Sequence, residues 1–139
     1  MSPWIVGTFL ATAVGLFAHI VGYDRDRSFY AVVLTVVGSL YVLFTVMAGG
    51  GHDLFTEFAF FALFAALAAI GFRTSLWVVA AGLALHGVFD FYYRHTFPTG
   101  RGVPEWWPAF CGAYDVVAAL GLAALLLLKR RRRDLASNH

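Results

Sequence analysis

The chain has 139 residues and a formal net charge of +2; 60% of its residues are hydrophobic and only 13% are charged. A soluble domain carries about a quarter charged residues and buries only about two-thirds of its surface, so this composition excludes a soluble globular fold. Half of the basic residues form one run, residues 129–133, directly after a long apolar segment. Such a run is typical of a membrane-topology signal that also attracts anionic lipid, and it argues against nucleic-acid binding.

Five apolar segments follow one another, each close to the ~20 residues that a membrane-spanning helix needs. We predict an all-α bundle with spans at residues 4–22, 29–48, 54–72, 75–94 and 107–128, followed by a basic cytoplasmic tail at 129–139. The spans use almost the whole chain, so we expect a single transmembrane domain. No basic residue precedes the first segment, which indicates a retained span rather than a signal peptide.

The first span carries small residues at every fourth position: Gly7, Ala11 and Gly15. Small residues at this spacing let helices approach closely in lipid, so they predict a contact with a partner helix or with a second copy of the chain. His19 lies near the end of the same span, and we expect it to pair with Asp24 or Asp26 in the polar turn that follows.

The second span is rich in Val and Leu, and its length favours a helix over a buried strand. Three glycines, residues 49–51, end it. Asp53 directly precedes the third span and is suited to cap its helix, and the span itself contains one acid, Glu57.

The fourth span contains His86 and Asp90, four residues apart and therefore on one helix face. A loop with two prolines and two glycines follows, residues 95–106, and Trp107 begins the fifth span at the predicted membrane interface. The fifth span carries Cys111 and Asp115, again at a spacing of four. The single cysteine excludes an internal disulfide.

The basic residues predict the orientation. With the N-terminus outside and the C-terminus in the cytoplasm, eight basic residues lie inside and only Arg94 and Arg101 lie outside. The reverse orientation would break the positive-inside rule. We therefore predict a multi-pass protein of a bacterial inner membrane with an outer N-terminus.

Ionisable residues are unfavourable in lipid and are functional candidates by default. On the five-span prediction Glu57, His86, Asp90 and Asp115 all fall in the outer half of the bilayer, although three helices supply them. Imidazole and carboxylate are ordinary ligands for a divalent metal such as zinc. We assign His86, Asp90 and Asp115 as metal ligands and Glu57 as a general base in an enzyme. The outer mouth of this site is formed by His52, Asp53, His95 and Cys111.

Two other interpretations stay open. The acids could exchange protons for a cationic solute in a proton-coupled transporter. Alternatively, the polar groups hold helices together in an accessory membrane subunit without its own chemistry, with His86 hydrogen-bonded to Asp115 or Asp90 paired with Arg94. No nucleotide-binding, GxSxG, CxxC or HExxH motif is present to choose among them.

Three stretches resemble a family of small, uncharacterised bacterial membrane proteins that is defined as a domain of unknown function: residues 22–30 (GYDRDRSFY), 85–90 (LHGVFD) and 102–111 (GVPEWWPAFC). The resemblance covers most of the chain and implies a bacterial origin without implying a mechanism. The membrane ceramidase-like hydrolases also use intramembrane His and Asp around zinc, but they have more spans and an HxxxH pair that this chain lacks, so their chemistry is not transferred.

Overall fold

The computed structural model describes residues 1–51, 53–96 and 102–139, with side chains for all of these except residues 93–96. The described residues form five α-helices: α1 (Pro3–Val21), α2 (Ser28–Met47), α3 (Asp53–Arg73), α4 (Leu76–Thr96) and α5 (Trp107–Ser137). A short 3₁₀ helix, Tyr23–Arg25, joins α1 to α2. The predicted all-α class and the order of five helices are confirmed.

Local chemistry sets the helix ends. Helix α1 has Pro3 in its first turn, where no intrahelical hydrogen bond is lost. It is followed by the capping residue Gly22, whose φ of 97° is a left-handed conformation that glycine adopts without strain. Asp26 accepts hydrogen bonds from the backbone N–H and the hydroxyl of Ser28, both 2.9 Å long, at the beginning of α2. These bonds lower the pKa of the Asp26 carboxyl.

The observed helix bounds lie within two residues of the predicted spans, except at the end of α5. This helix continues beyond residue 128 through the basic run to Ser137. Lys and Arg are good helix formers, so the charges that end the apolar stretch do not end the helix. The basic residues are exposed along this extension.

The helices run up and down, and α4 packs against three of the others. Helices α1 and α4 pack along α5, α2 packs along α3 and crosses α4, and α3 packs along α4; α1 does not pack along α2. The buried core joins Leu34 of α2, Phe64 of α3, Leu83 of α4 and Leu122 of α5. We call the end of the bundle where α2 ends and α3 begins the α2–α3 end.

Small residues set the spacing between helices within the chain. A side chain at Gly7 would collide with the backbone carbonyl of Phe110, so α1 and α5 meet there backbone to backbone. Ala11 is buried, whereas Gly15 has only the Tyr30 hydroxyl near it, at 4.0 Å. Gly7 and Ala11 therefore serve a contact inside the chain, and a contact of this stripe with a second chain remains a prediction.

The surface of the bundle is apolar. Large hydrophobic side chains point outward on several helices, among them Phe9 at 74%, Ile20 at 81% and Phe55 at 83% exposure. Among the described residues, four helices are long and apolar enough to cross a bilayer: Pro3–Val21, Ser28–Met47, Asp53–Arg73 and Trp107–Ser137. The apolar part of α4, Leu76–Tyr92, is shorter. An apolar surface of this extent is in contact with lipid rather than with water. This surface identifies the chain as a membrane protein.

Candidate metal centre

Four potential metal ligands from two helices meet inside the bundle. His86 and Asp90 come from α4, and Cys111 and Asp115 come from α5; one ligand atom from each lies within 4.8 Å of all the others. All four side chains are at most 2% exposed. The structure therefore brings together the three residues that the sequence analysis assigned to a metal and adds Cys111 to them.

The contacts within this cluster are short. Nδ1 of His86 is hydrogen-bonded to Oδ2 of Asp115 across 2.5 Å and lies 3.5 Å from Oδ2 of Asp90. Sγ of Cys111 lies 3.7 Å from the same Asp115 oxygen. One imidazole nitrogen thus faces both carboxylates, and the thiol lies beside one of them.

Tyr41 of α2 is not a member of the cluster but binds the carboxylate of Asp90. Its hydroxyl donates a hydrogen bond of 2.7 Å to Oδ1 of Asp90, and the side chain is only 2% exposed. The other oxygen of Asp90 remains directed towards His86. Carboxylates that bind metals are commonly oriented by such a hydrogen bond to their distal oxygen.

Two glycines allow α4 and α5 to approach each other closely at the level of the cluster. A side chain at Gly87 would meet Cγ2 of Val116 at 2.9 Å and the carbonyl oxygen of Gly112 at 3.0 Å, and one at Gly112 would meet the Gly87 carbonyl at 3.3 Å. Gly87 follows His86 directly, and Gly112 follows Cys111. The close approach that these glycines permit is what brings His86 within hydrogen-bond reach of Asp115.

Aromatic rings enclose the imidazole. The ring of Phe64 meets His86 edge to face, with 4.6 Å between ring centroids, and Phe89 lies 5.9 Å away. These rings exclude water and lower the local dielectric, so the attraction between opposite charges is stronger here than at a surface.

The cluster contains more acids than bases. Asp90 and Asp115 are both fully buried, and within the described part of the chain the ion pairs of both involve His86 and neither a Lys nor an Arg. Oδ1 of Asp115 is buried and has no hydrogen-bond partner among the described residues. Two buried carboxylates facing one imidazole require protons or a cation. A divalent ion satisfies this requirement.

The donor set and the distances suit zinc. In a tetrahedral zinc site, bonds of ~2.0–2.3 Å place the ligand atoms roughly 3.3 to 3.8 Å apart. The separation of 3.5 Å between His86 and Asp90 falls in this range. The hydrogen bond between His86 and Asp115 must open by about 1 Å before both atoms can bind one ion, so the metal would replace the proton that they share.

The remaining predicted site residues lie elsewhere. Glu57 is buried on α3 at 3% exposure but is not a member of the four-residue cluster. It precedes Phe64 by two helical turns, which is about 10 Å of helix rise. Asp53 is exposed at the beginning of α3. The predictions for His52 and for the side chains of His95 and Arg94 fall outside the described residues.

His19 pairs as expected, away from the cluster. Its Nδ1 lies 2.7 Å from Oδ2 of Asp24, and the two residues flank the turn between α1 and α2. The His19 side chain is 66% exposed and the Asp24 side chain 4% exposed, so this pair joins an exposed imidazole to a buried carboxylate at the other end of the bundle.

Sequence reasoning missed the roles of Tyr41 and of Gly87 and Gly112. Tyr41 and Thr45 share one face of α2, and Thr45 donates to the Tyr41 carbonyl across 2.9 Å. The depth of Tyr41, six residues from the end of α2 at Met47, was the available signal. Glycines directly after His86 and Cys111 were the signal for close packing of α4 and α5.

These features define a class: a membrane helix bundle with a buried centre of metal-ligand side chains. Comparison with protein-family models, with curated proteins and with solved structures finds no match to the chain. The functional argument therefore rests on the chemistry of the centre itself.

Proposed function

We propose that this chain is a multi-pass protein of a bacterial inner membrane and that it binds one divalent metal ion, preferentially zinc, within the bilayer. His86, Asp90, Cys111 and Asp115 are the ligands. The observation that carries the proposal is the meeting of four buried donor atoms within 4.8 Å of one another. An excess of buried carboxylate over cationic side chains supports it, because an ion of charge +2 offsets the charge of the two carboxylates.

Five spans with the N-terminus outside are part of the proposal. Helix α4 is 21 residues long, which gives about 31 Å of rise and matches the ~30 Å hydrocarbon core. The basic residues support the orientation, because the turns between α1 and α2 and between α3 and α4, together with the end of α5, hold eight of the ten. In this orientation the metal centre belongs to the outer half of the bilayer, near the α2–α3 end.

The ligand set is suited to Lewis-acid chemistry. Three or four protein ligands of mixed N, O and S type are found at both structural and catalytic zinc sites, and a catalytic site keeps one position for water or substrate. With Cys111 bound to the metal, all four coordination positions are filled and the site is closed. With only His86, Asp90 and Asp115 bound, one coordination position stays open for water or substrate. In the open form, Glu57 is the acid on α3 that we propose as general base.

A purely structural role is the second candidate. The hydrogen bond between His86 and Asp115 joins α4 to α5, and the bond from Tyr41 to Asp90 joins α2 to α4. A fully buried polar network of this kind orders a bundle even without a metal. In that case the chain would act as an accessory membrane subunit.

The deciding experiment is metal analysis of the detergent-purified chain by mass spectrometry. We expect close to one zinc per chain in the wild type and loss of the metal in His86→Ala and Asp115→Asn. His19→Ala and Asp53→Asn are matched controls, because both residues lie outside the cluster, and both variants should keep the metal. Folded wild-type protein that takes up no divalent metal from a zinc-supplemented buffer would overturn the metal proposal and favour the structural role.

A further inference from the structure

A groove of about 690 Å³ lies between α1 and α2, with α5 as its floor. Its walls are apolar and include Leu10 and Val14 of α1 and Val32, Val36 and Leu40 of α2. Because α1 packs along α5 and not along α2, the groove is open along its side. Val32 and Val36 are 57% and 50% exposed, so the opening faces the lipid.

The two ends of the groove differ. The inner mouth lies at the turn between α1 and α2, where Gly22, Tyr23 and Asp26 line it. The far end is lined by Trp107 and Cys111. Trp107 packs against Phe44 of α2, with 5.0 Å between ring centroids, and this contact closes the groove.

The length of the groove discriminates between occupants. From Phe29 to Leu40, both in its lining, the helix rises about 16 Å. One leaflet contributes half of the ~30 Å hydrocarbon core, which is about 15 Å. A transmembrane helix from another chain would need a surface that runs the full ~30 Å and accepts a cylinder ~10 Å wide. The part of the groove that runs along α2 therefore has the length of one acyl chain in one leaflet.

A positive charge lies beside the mouth, next to its lining residue Gly22, while Asp26 is the charged residue in the lining itself. Arg25 lies over Gly22, and its Nε would be 3.5 Å from a side chain at that glycine. Its neighbours are engaged: Asp24 pairs with His19, Asp26 accepts from Ser28, and Arg27 donates to the Phe72 carbonyl at 3.0 and 3.3 Å. Among the residues described around this mouth, Arg25 is the cation without a protein partner. A lipid phosphate complements it.

We propose that this groove is a specific site for one anionic phospholipid of the leaflet next to the α1–α2 turn, with an acyl chain between α1 and α2 and its phosphate at Arg25. The site depends on membrane insertion of the chain but not on the metal centre.

The experiment measures lipid binding by native mass spectrometry of the full chain, titrated with palmitoyl-oleoyl phosphatidylglycerol and separately with the matching phosphatidylcholine. Val36→Trp fills the groove, and Val46→Trp is its control, because Val46 lies on the same helix, is 53% exposed and does not line the groove. Losing the contacts of only two methylene groups weakens binding about tenfold. We expect at least this loss in Val36→Trp and no change in Val46→Trp.

The headgroup is tested with Arg25→Gln against Arg25→Lys. We expect the wild type to prefer phosphatidylglycerol, Arg25→Gln to lose this preference and Arg25→Lys to keep it. Leu10→Trp fills the same groove from α1 and replaces Val36→Trp if the latter does not fold. Equal lipid binding by groove and control variants would overturn the proposal. Equal binding of the two lipids by the wild type would also overturn it. The same holds if Val36→Trp changes dimerisation and leaves lipid binding unchanged.

Discussion

Nδ1 of His86 and Oδ2 of Asp115 lie 2.5 Å apart in the interior of the bundle, on different helices, and both residues are at most 1% exposed. This contact is the shortest in a cluster that also includes Asp90 and Cys111. It joins α4 to α5 where Gly87 and Gly112 allow these helices to touch. An ion that binds at this pair replaces the proton between the two side chains.

Zinc should stabilise the chain against unfolding. A ligand that binds the folded state alone adds about 2.7 kcal/mol to the free energy of unfolding at a hundred times its Kd. We expect this gain in the wild type and in His19→Ala, and its loss in His86→Ala, when unfolding in mixed micelles is followed by circular dichroism with zinc or with a chelator. Equal zinc stabilisation of His86→Ala and wild type would place the metal elsewhere.

Removing the Tyr41 hydroxyl should weaken metal binding without abolishing it. Tyr41→Phe deletes the hydrogen bond to Asp90, and loss of such an orienting bond lowers metal affinity about 10- to 100-fold. Competition with a fluorescent zinc chelator measures the change. Tyr30→Phe is the control, because Tyr30 is a buried tyrosine of the same helix outside the cluster; similar affinities for the two variants would refute a role for Tyr41.

Gly87→Ala should separate α4 from α5. The new methyl group would lie 2.9 Å from Val116 and 3.0 Å from the Gly112 carbonyl, and overpacking of this kind destabilises by about 1–3 kcal/mol. We expect a lower unfolding temperature and less bound zinc. Gly121→Ala is the matched control, because the nearest atom to its methyl group is the Tyr30 hydroxyl at 3.8 Å. A Gly87→Ala protein with unchanged metal content would show that close helix contact is not required.

Metal binding should release protons and strengthen as the pH rises. Histidine and cysteine bind as deprotonated ligands, and the proton shared by His86 and Asp115 must leave when the ion enters. Calorimetric zinc titrations in two buffers of different ionisation enthalpy count the released protons. We expect at least one in the wild type; a count of zero at neutral pH would exclude binding at this pair.

Cys111 should be visible in the spectrum of a cobalt-substituted protein. A thiolate ligand to Co²⁺ produces a charge-transfer absorption in the near ultraviolet, which oxygen and nitrogen ligands lack, and soft thiolate ligands favour zinc over manganese. Cys111→Ser should lose this absorption and discriminate less between zinc and manganese. If the wild-type cobalt protein lacks the absorption, Cys111 is not a ligand and the three-ligand, open form of the site applies.

Much of the fold is readable from the sequence, because charge and glycine interrupt the apolar segments at the helix ends. The turn after Val21 and the glycines after Met47 are examples. The end of α5 is different: the basic run marks where the apolar stretch stops, but its residues continue the helix to Ser137. Hydropathy thus predicts the apolar segment and not the helix end.

The site was only partly predictable. His86, Asp90 and Asp115 stand out because ionisable side chains are rare in apolar segments. Their depth along each helix can be estimated from residue counts, but the rotation of one helix against another cannot. Glu57, close in predicted depth, therefore lies outside the cluster, whereas Cys111, assigned to the mouth, lies inside it. The one signal for Tyr41 was its depth in the second span, because a tyrosine in a span is ordinary.

The most direct test of the central claim is X-ray absorption at the zinc edge of the purified, zinc-loaded chain in lipid nanodiscs, because it reports the atoms bound to the metal. The account predicts one ion per chain with one sulfur at ~2.3 Å and three nitrogen or oxygen ligands at ~2.0–2.2 Å, and loss of the sulfur shell in Cys111→Ser. A six-coordinate shell of oxygen alone, or a wild-type spectrum identical to that of His86→Ala, would contradict it.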